Sequence, residues 1–476
     1  MQTSISQGVV PSSSHSSTLG STASEHEQWS SKAGFLLAAI GSAVGLANIW
    51  RFPYAAGENG GGAFVLVYIL SVVLVVLPIL MAELLIGRRG QLSPPNSIAK
   101  VCREANRSQA WRWMGFVGVV AAIIIFSFYI VVGGWTLAYV AKSATGELAG
   151  LDKTAIQASF DGLNANAFEL FCWASAFLIL TVIVSARGVK AGIESASKIL
   201  MPMLFVILLL LVIYAAVTGD FIRGARFLLV PDFSKITTDV VLDAIGQAFF
   251  SIGVGITNLI AYGAYLDRKT SIPNASVTII GADTLVALLA GLVIFPIIFA
   301  NNMDPSGGPG LVFMALPYAF GQMPGGTIIG PLFFLLLFFA ALTSAISMME
   351  CTVAWLKEKL HWSRLKSALV CGALSWALGC LSVLSFNHLS GVYPLDFIGA
   401  FEHKTFFDLF DYLTTTVVMP LCAIFVAIFV GWVLPTAITA DELEGGEHPW
   451  RYRLWHFLVR FVAPLGLSAV FISLVS

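Results

Sequence analysis

Eleven apolar runs, each long enough to cross a hydrocarbon layer, decide what this chain can become. They fall near residues 33–54, 63–87, 113–142, 168–186, 193–218, 239–265, 277–300, 328–356, 367–386, 405–434 and 453–475. A spanning helix needs about 20 mostly apolar residues. Lipid offers no hydrogen bonds, so runs of this length satisfy their backbone as helices. Only 11% of the 476 residues are charged and 57% are hydrophobic, against roughly a quarter charged in soluble domains. The sequence predicts an all-α polytopic membrane protein of about 11 transmembrane helices, with the lipid bilayer as its surroundings. A net charge of -1 gives no electrostatic footprint for nucleic acid. The six cysteines are scattered, with no CxxC pair, and read as packing residues.

Residues 1–28 are rich in Ser, Gly and Thr and lack the apolar segment of a secretory signal. They read as a disordered cytoplasmic N-terminal tail, with 29–476 as a single transmembrane domain. Lys and Arg set the orientation. With the N-terminus inside, the inner loops collect Arg88, Arg89, Lys100, Arg103, Lys357, Arg364 and others. That is a threefold excess over the outer loops, which hold residues such as Lys142, Arg223 and Lys235. The expected location is the cell inner (plasma) membrane, multi-pass, with a cytoplasmic N-terminus. An odd number of spans then places the C-terminus outside.

Two runs break their own pattern. In the first, small residues (Gly41, Ser42, Ala43, Gly45) precede Asn48 and Arg51, both costly in hydrocarbon. Irregular backbone at membrane depth is tolerated where it lines a cavity; a helix kinked for close packing would look similar. The sixth run, GQAFFSIGVGITNLIAY, is interrupted by Gly253 and Gly255. Five runs precede this second break, so the two halves enter the membrane from opposite sides. That predicts a 5+5 inverted repeat with broken helices 1 and 6, spanning about 33–218 and 239–434, and an extra helix at 453–475. Breaks at matching positions of two halves point to a transport site. Residues 310–320 are apolar but too short to span and read as a re-entrant or lid-like hairpin.

GSAVGLANIWRFPYAAGENGGGAF, GQAFFSIGVGI and ALTSAISMME strongly resemble the neurotransmitter:sodium symporter family, on its bacterial amino-acid branch with the leucine-transporter-like fold. The resemblance implies a transporter domain, not an enzyme, that binds two Na⁺ ions with its substrate. It places one sodium among Ala43, Asn48, Ser251 and Asp283. It places the second among Gly41, Val44, Ala340, Thr343 and Ser344. From the residues alone, Thr343 and Ser344 also read as interhelical packing hydroxyls. The substrate positions implied are Ala43, Gly45, Ala47, Ile125, Tyr129, Phe250, Ser251, Gly253, Ile256, Ser344 and Met348, with Tyr129 on the substrate carboxylate. Several of these would serve equally as core. Arg51 and Asp411 match an outer gate. Gly192 and Pro202 match a motif where the fifth helix unwinds, and Glu83 matches an acid that steadies the unwound part of the sixth.

Departures from the family pattern matter too. His26 stands where an arginine is usual, opposite Glu358 at the inner gate, and Ala47 and Gly253 alter the substrate pocket. Asp283 supplies a permanent anion in an apolar run, so chloride is not expected to be required. The halide site of chloride-dependent members matches Tyr68, Gln247 and Ser251 but has Ala287 where a serine is needed. The function implied is sodium-coupled import of a neutral, hydrophobic α-amino acid by alternating access. Two alternatives stay open: the same fold carrying a betaine or taurine-like zwitterion, and a non-transporting sodium-dependent amino-acid receptor.

Overall fold

The structure is a computed structural model that describes residues 27–305, 311–443 and 447–475. Among the described residues, nine unbroken helices are long and apolar enough to span: Gly62–Gly90, Gln109–Ala144, Ala167–Ala186, Val189–Thr218, Ile272–Ala300, Gly326–Leu360, Arg364–Leu384, Phe406–Val433 and Pro449–Val475. Two more spans are broken. The first runs as Lys32–Ala43 and Ala47–Glu58, bent by 51°. The sixth runs as Thr238–Ile252 and Asn258–Ala264. Numbered along the chain these make eleven segments, compatible with the eleven spans that the sequence predicts. The membrane face where the described chain begins is called here the N-face, and the opposite one the far face.

Each break has a local cause. In the sixth span Gly253 ends the helix at φ +68° and Gly255 follows at φ +93°, a region that glycine enters without a Cβ penalty. A Cβ on Gly255 would also lie 2.4 Å from the Met419 carbonyl oxygen. The opened backbone leaves donors without helical partners, and hydrocarbon offers them none. Glu83 of the second span fills this role: it is fully buried, and its Oε1 accepts the Gly255 N–H at 2.7 Å. In the first span Val44 is extended (ψ 108°), and Gly45 N–H donates to Asn48 Oδ1 at 2.9 Å. Close approach is also at work here. A Cβ on Gly41 would sit 3.1 Å from Thr343 Cβ, and one on Gly45 would sit 2.7 Å from Ser344 Oγ. Small residues thus bring the first span's break directly against the eighth span.

The eighth span is the hub. In its most apolar stretch 83% of residues are buried, against 22% in the eleventh, which lies at the periphery. The fifth span is helical through Gly192 and Pro202: a wide turn at Val189–Glu194 continues into Ser195–Thr218. The unwinding expected at this motif is therefore not a feature of this conformation. The short apolar segment Leu311–Gln322, expected to be a re-entrant or lid-like hairpin, is helical. Its Phe313 packs on Trp50, Tyr139 and Phe160, with ring centroids 5.6, 5.3 and 5.7 Å away.

Candidate functional site

The two breaks face each other across a cavity of about 460 Å³, within the range of roughly 300–1,000 Å³ usual for small-molecule sites. All eleven positions named for the substrate border it: Ala43, Gly45, Ala47, Ile125, Tyr129, Phe250, Ser251, Gly253, Ile256, Ser344 and Met348. The Tyr129 hydroxyl faces the Leu46 backbone and the Ser344 hydroxyl. Ile125, Phe250, Ile256 and Met348 make apolar wall. Sequence reasoning missed several further wall residues, among them Trp50, Phe128, Asn258, Phe407, Thr415 and Met419. A signal existed for some. Phe407, Asp411, Thr415 and Met419 recur every four residues, which puts them on one face of the tenth span.

On one side of the first break lies a buried oxygen cluster. Asp283 is fully buried in the seventh span. Its Oδ1 accepts from Asn48 Nδ2 at 2.7 Å, and its Oδ2 accepts from Ser251 Oγ at 2.8 Å, with Tyr68 OH at 3.5 Å. Every one of these partners is neutral. A buried carboxylate in such company is costly unless a cation joins it. The Asp283 carboxylate and the Ser251 hydroxyl are hard oxygen donors that suit an alkali or alkaline-earth ion, while Asn48 turns its Nδ2 to them and its Oδ1 to the Gly45 N–H. On the other side, Gly41 and Val44 meet the eighth span. Ser344 Oγ reaches the Val44 carbonyl at 3.4 Å, and Thr343 Oγ1 donates to the Phe339 and Ala340 carbonyls, both at 3.1 Å. This second cluster is wholly uncharged.

The two mouths of the cavity differ. At the far face Arg51 and Asp411 both border the opening and form no direct ion pair. The Arg51 guanidinium carbon instead lies 4.3 Å from the Phe250 ring centroid. The N-face is sealed. Trp29 Nε1 donates to the Tyr262 carbonyl at 3.1 Å, and its ring packs edge-on against Tyr262 and Tyr265. Glu27 Oε1 pairs with Lys357 at 2.9 Å and Oε2 with Arg364 at 3.2 Å, while Arg364 also holds the buried Glu350 at 2.5 Å. Burial pushes the Glu27 carboxyl up, but Arg364 and Lys357 outweigh it and hold it below the usual carboxylate range, so it is charged at neutral pH. This corrects one expectation. Glu27, assigned to a disordered tail, is part of the seal, because its charge partners come from distant loops that composition does not reveal. Glu358, read as half of an inner gate, accepts the Ser93 N–H at 2.8 Å, at the start of helix Pro94–Glu104, where a helix N-terminus has donors to spare. His26, its expected partner, lies outside the described residues.

A helical bundle with two spans broken at one midplane cavity has the architecture of a secondary transporter, and comparison with known proteins narrows the class. The sodium:neurotransmitter symporter family profile matches residues 26–162 and 154–476. An uncharacterized sodium-dependent transporter of Bacillus subtilis (strain 168), YhdH, is 39% identical over 450 residues, covering 94% of this chain and 97% of that protein. The sodium-dependent dopamine transporter of Bos taurus is 25% identical over 505 residues, covering 94% of this chain and 69% of its own. Among solved structures, MhsT in complex with L-phenylalanine superposes with a TM-score of 0.84 at 41% identity, covering 94% of this chain and 99% of MhsT. The chain belongs to the sodium:neurotransmitter symporter family. It is a sodium-dependent, multi-pass membrane symporter of a small molecule and not an enzyme.

Proposed function

We propose that this protein imports neutral α-amino acids, coupled to sodium, by alternating access, with the N-face in the cytoplasm of a cell whose inner (plasma) membrane it spans. The observation that carries the reading is the meeting of a carboxylate-accepting end and an apolar end in one cavity. Half-helix N-termini and Tyr129 offer donors to an α-carboxylate. Gly45 leaves room and no charge beside it, so an amine without a carboxylate has no anionic partner there. The phenylalanine bound by MhsT supports a neutral amino acid as the substrate.

Two sodium ions fit the two clusters. The first would sit with the Ala43 carbonyl, Asn48, Ser251 and Asp283, and the substrate carboxylate would complete its shell. Each then stabilises the other's bound state, which is the thermodynamic basis of coupling. The second would sit with the carbonyls of Gly41, Val44 and Ala340 and the hydroxyls of Thr343 and Ser344. Asp283 provides the permanent negative charge, so transport proceeds without chloride. Substrate binding draws Arg51 toward Asp411 and closes the far mouth. The Trp29 and Glu27 seal then parts, and the fifth span loosens at Gly192 and Pro202, because proline removes a backbone donor and weakens the turn before it.

Uptake of radiolabelled L-phenylalanine into proteoliposomes under a sodium gradient tests this. Accumulation above equilibrium, unchanged when gluconate replaces chloride, is the expected result. Saturable binding without accumulation would reduce the protein to a receptor. Tryptamine competing as well as tryptophan would overturn the amino-acid assignment.

A further inference from the structure

One polar side chain on the cavity wall has no part in the scheme above. Asn258 is the first residue of the second half of the sixth span, borders the cavity and is 4% exposed. It follows Thr257, which sits at φ +61°. A β-branched residue is rarely found in that left-handed region. The strained turn sets Asn258 at the base of the new helix, opposite the eighth span.

Two side chains of the eighth span fix its amide. Ser347 Oγ donates to the Ser344 carbonyl at 2.8 Å, so it can meet Asn258 only as an acceptor, and Asn258 Nδ2 faces it at 3.4 Å. On the other edge, Cys351 Sγ donates to Asn258 Oδ1 at 3.0 Å. With its nitrogen toward Ser347 the amide is matched on both edges, an assignment that rests on partners rather than on the amide's shape. A primary amide carries two N–H donors and an oxygen with two lone pairs. The eighth span uses one of each. One donor and one lone pair remain on a residue that borders the cavity beside Ile256 and Met348.

We propose that Asn258 sets specificity for the substrate's side chain, favouring neutral amino acids that end in a hydroxyl or amide over apolar ones of the same shape. A hydroxyl or amide can both accept the free N–H and donate to the free lone pair. An apolar side chain would strip water from the amide and return nothing, and buried polar groups left unmatched are the strongest source of discrimination a pocket has. The inference rests on the amino-acid reading above.

The test measures sodium-dependent displacement of labelled L-phenylalanine from the purified protein by three matched pairs: tyrosine and phenylalanine, threonine and valine, glutamine and norleucine. In at least one pair the polar member is expected to bind about three- to tenfold tighter, the range that one net hydrogen bond supplies. Asn258→Leu should bring that ratio to about one. Asn258→Ala, which adds no bulk, should do the same and guards against a folding defect in the first variant. Cys351→Ala frees the amide to rotate and should lower the ratio by a smaller factor. Equal or tighter binding of the apolar member in all three pairs overturns the inference, as does a ratio that persists in both Asn258 variants. A protein that binds phenylalanine with sodium but shows no such ratio leaves the amino-acid reading standing. Absence of sodium-dependent binding by all six overturns both.

Discussion

The breaks in the first and sixth spans hold corresponding places in the two repeats, yet the chain stabilises them by different means. The sixth is shaped by covalent geometry: Gly253 and Gly255 at positive φ, and one buried acid, Glu83, on a backbone N–H. The first has no positive-φ residue among those described at the break. It is shaped by what lies against it: Asn48 and Asp283 on one side, Thr343 and Ser344 on the other. A break closed by the chain's own acid is a fixed structural element. A break flanked by oxygens, with a buried carboxylate whose partners are all neutral, is where the proposed sodium sites put the dependence on a ligand. Topological symmetry therefore does not imply that the two breaks respond alike to sodium.

The largest effect should come from Gly255→Ala. The added methyl meets the Met419 carbonyl at 2.4 Å in a left-handed backbone, and overpacking plus strain should cost about 3 kcal/mol. Thermal unfolding in detergent would show this with or without sodium; wild-type stability would mean that the sixth break is as adaptable as the first. Next, Asp283→Asn should raise the sodium concentration for half-maximal binding by about tenfold, because ligand charge count tunes hard-cation affinity. Normal sodium dependence would remove Asp283 from the ion site and leave the first break without its distinguishing ligand. Thr343→Ala and Ser344→Ala should each raise that concentration by about threefold, the loss of one neutral oxygen contact. If neither does, these hydroxyls are packing groups. The smallest change is expected of Glu83→Gln. Glutamine retains an acceptor for the Gly255 N–H, so the melting temperature should fall by only a few degrees at most, about 1 kcal/mol or less. A large sodium-dependent effect there would erase the contrast between the two breaks.

The number of spans, the inverted repeat and the positions of both breaks follow from the sequence, because lipid permits only helices at those lengths and penalises each departure from them. Glycine placement marked the sixth break for the same reason: only that residue enters its backbone region freely. The positions that the motif resemblance implies for the substrate all border one cavity. Other features required the folded chain. Glu27 finds Lys357 and Arg364 more than 300 residues away, and no local pattern encodes such a pairing. Glu358 takes a backbone N–H at a neighbouring helix start, a donor that sequence does not distinguish from any other. Gly192 and Pro202 match an unwinding motif in sequence, yet the fifth span is helical through both, because packing can hold a turn that local composition weakens. Nothing in the run around Asn258 tells how its amide is turned. Its orientation arises only where Ser347 and Cys351 of another span fix its amide. Sequence dictates which backbone groups must be satisfied, and tertiary packing decides which partner satisfies them.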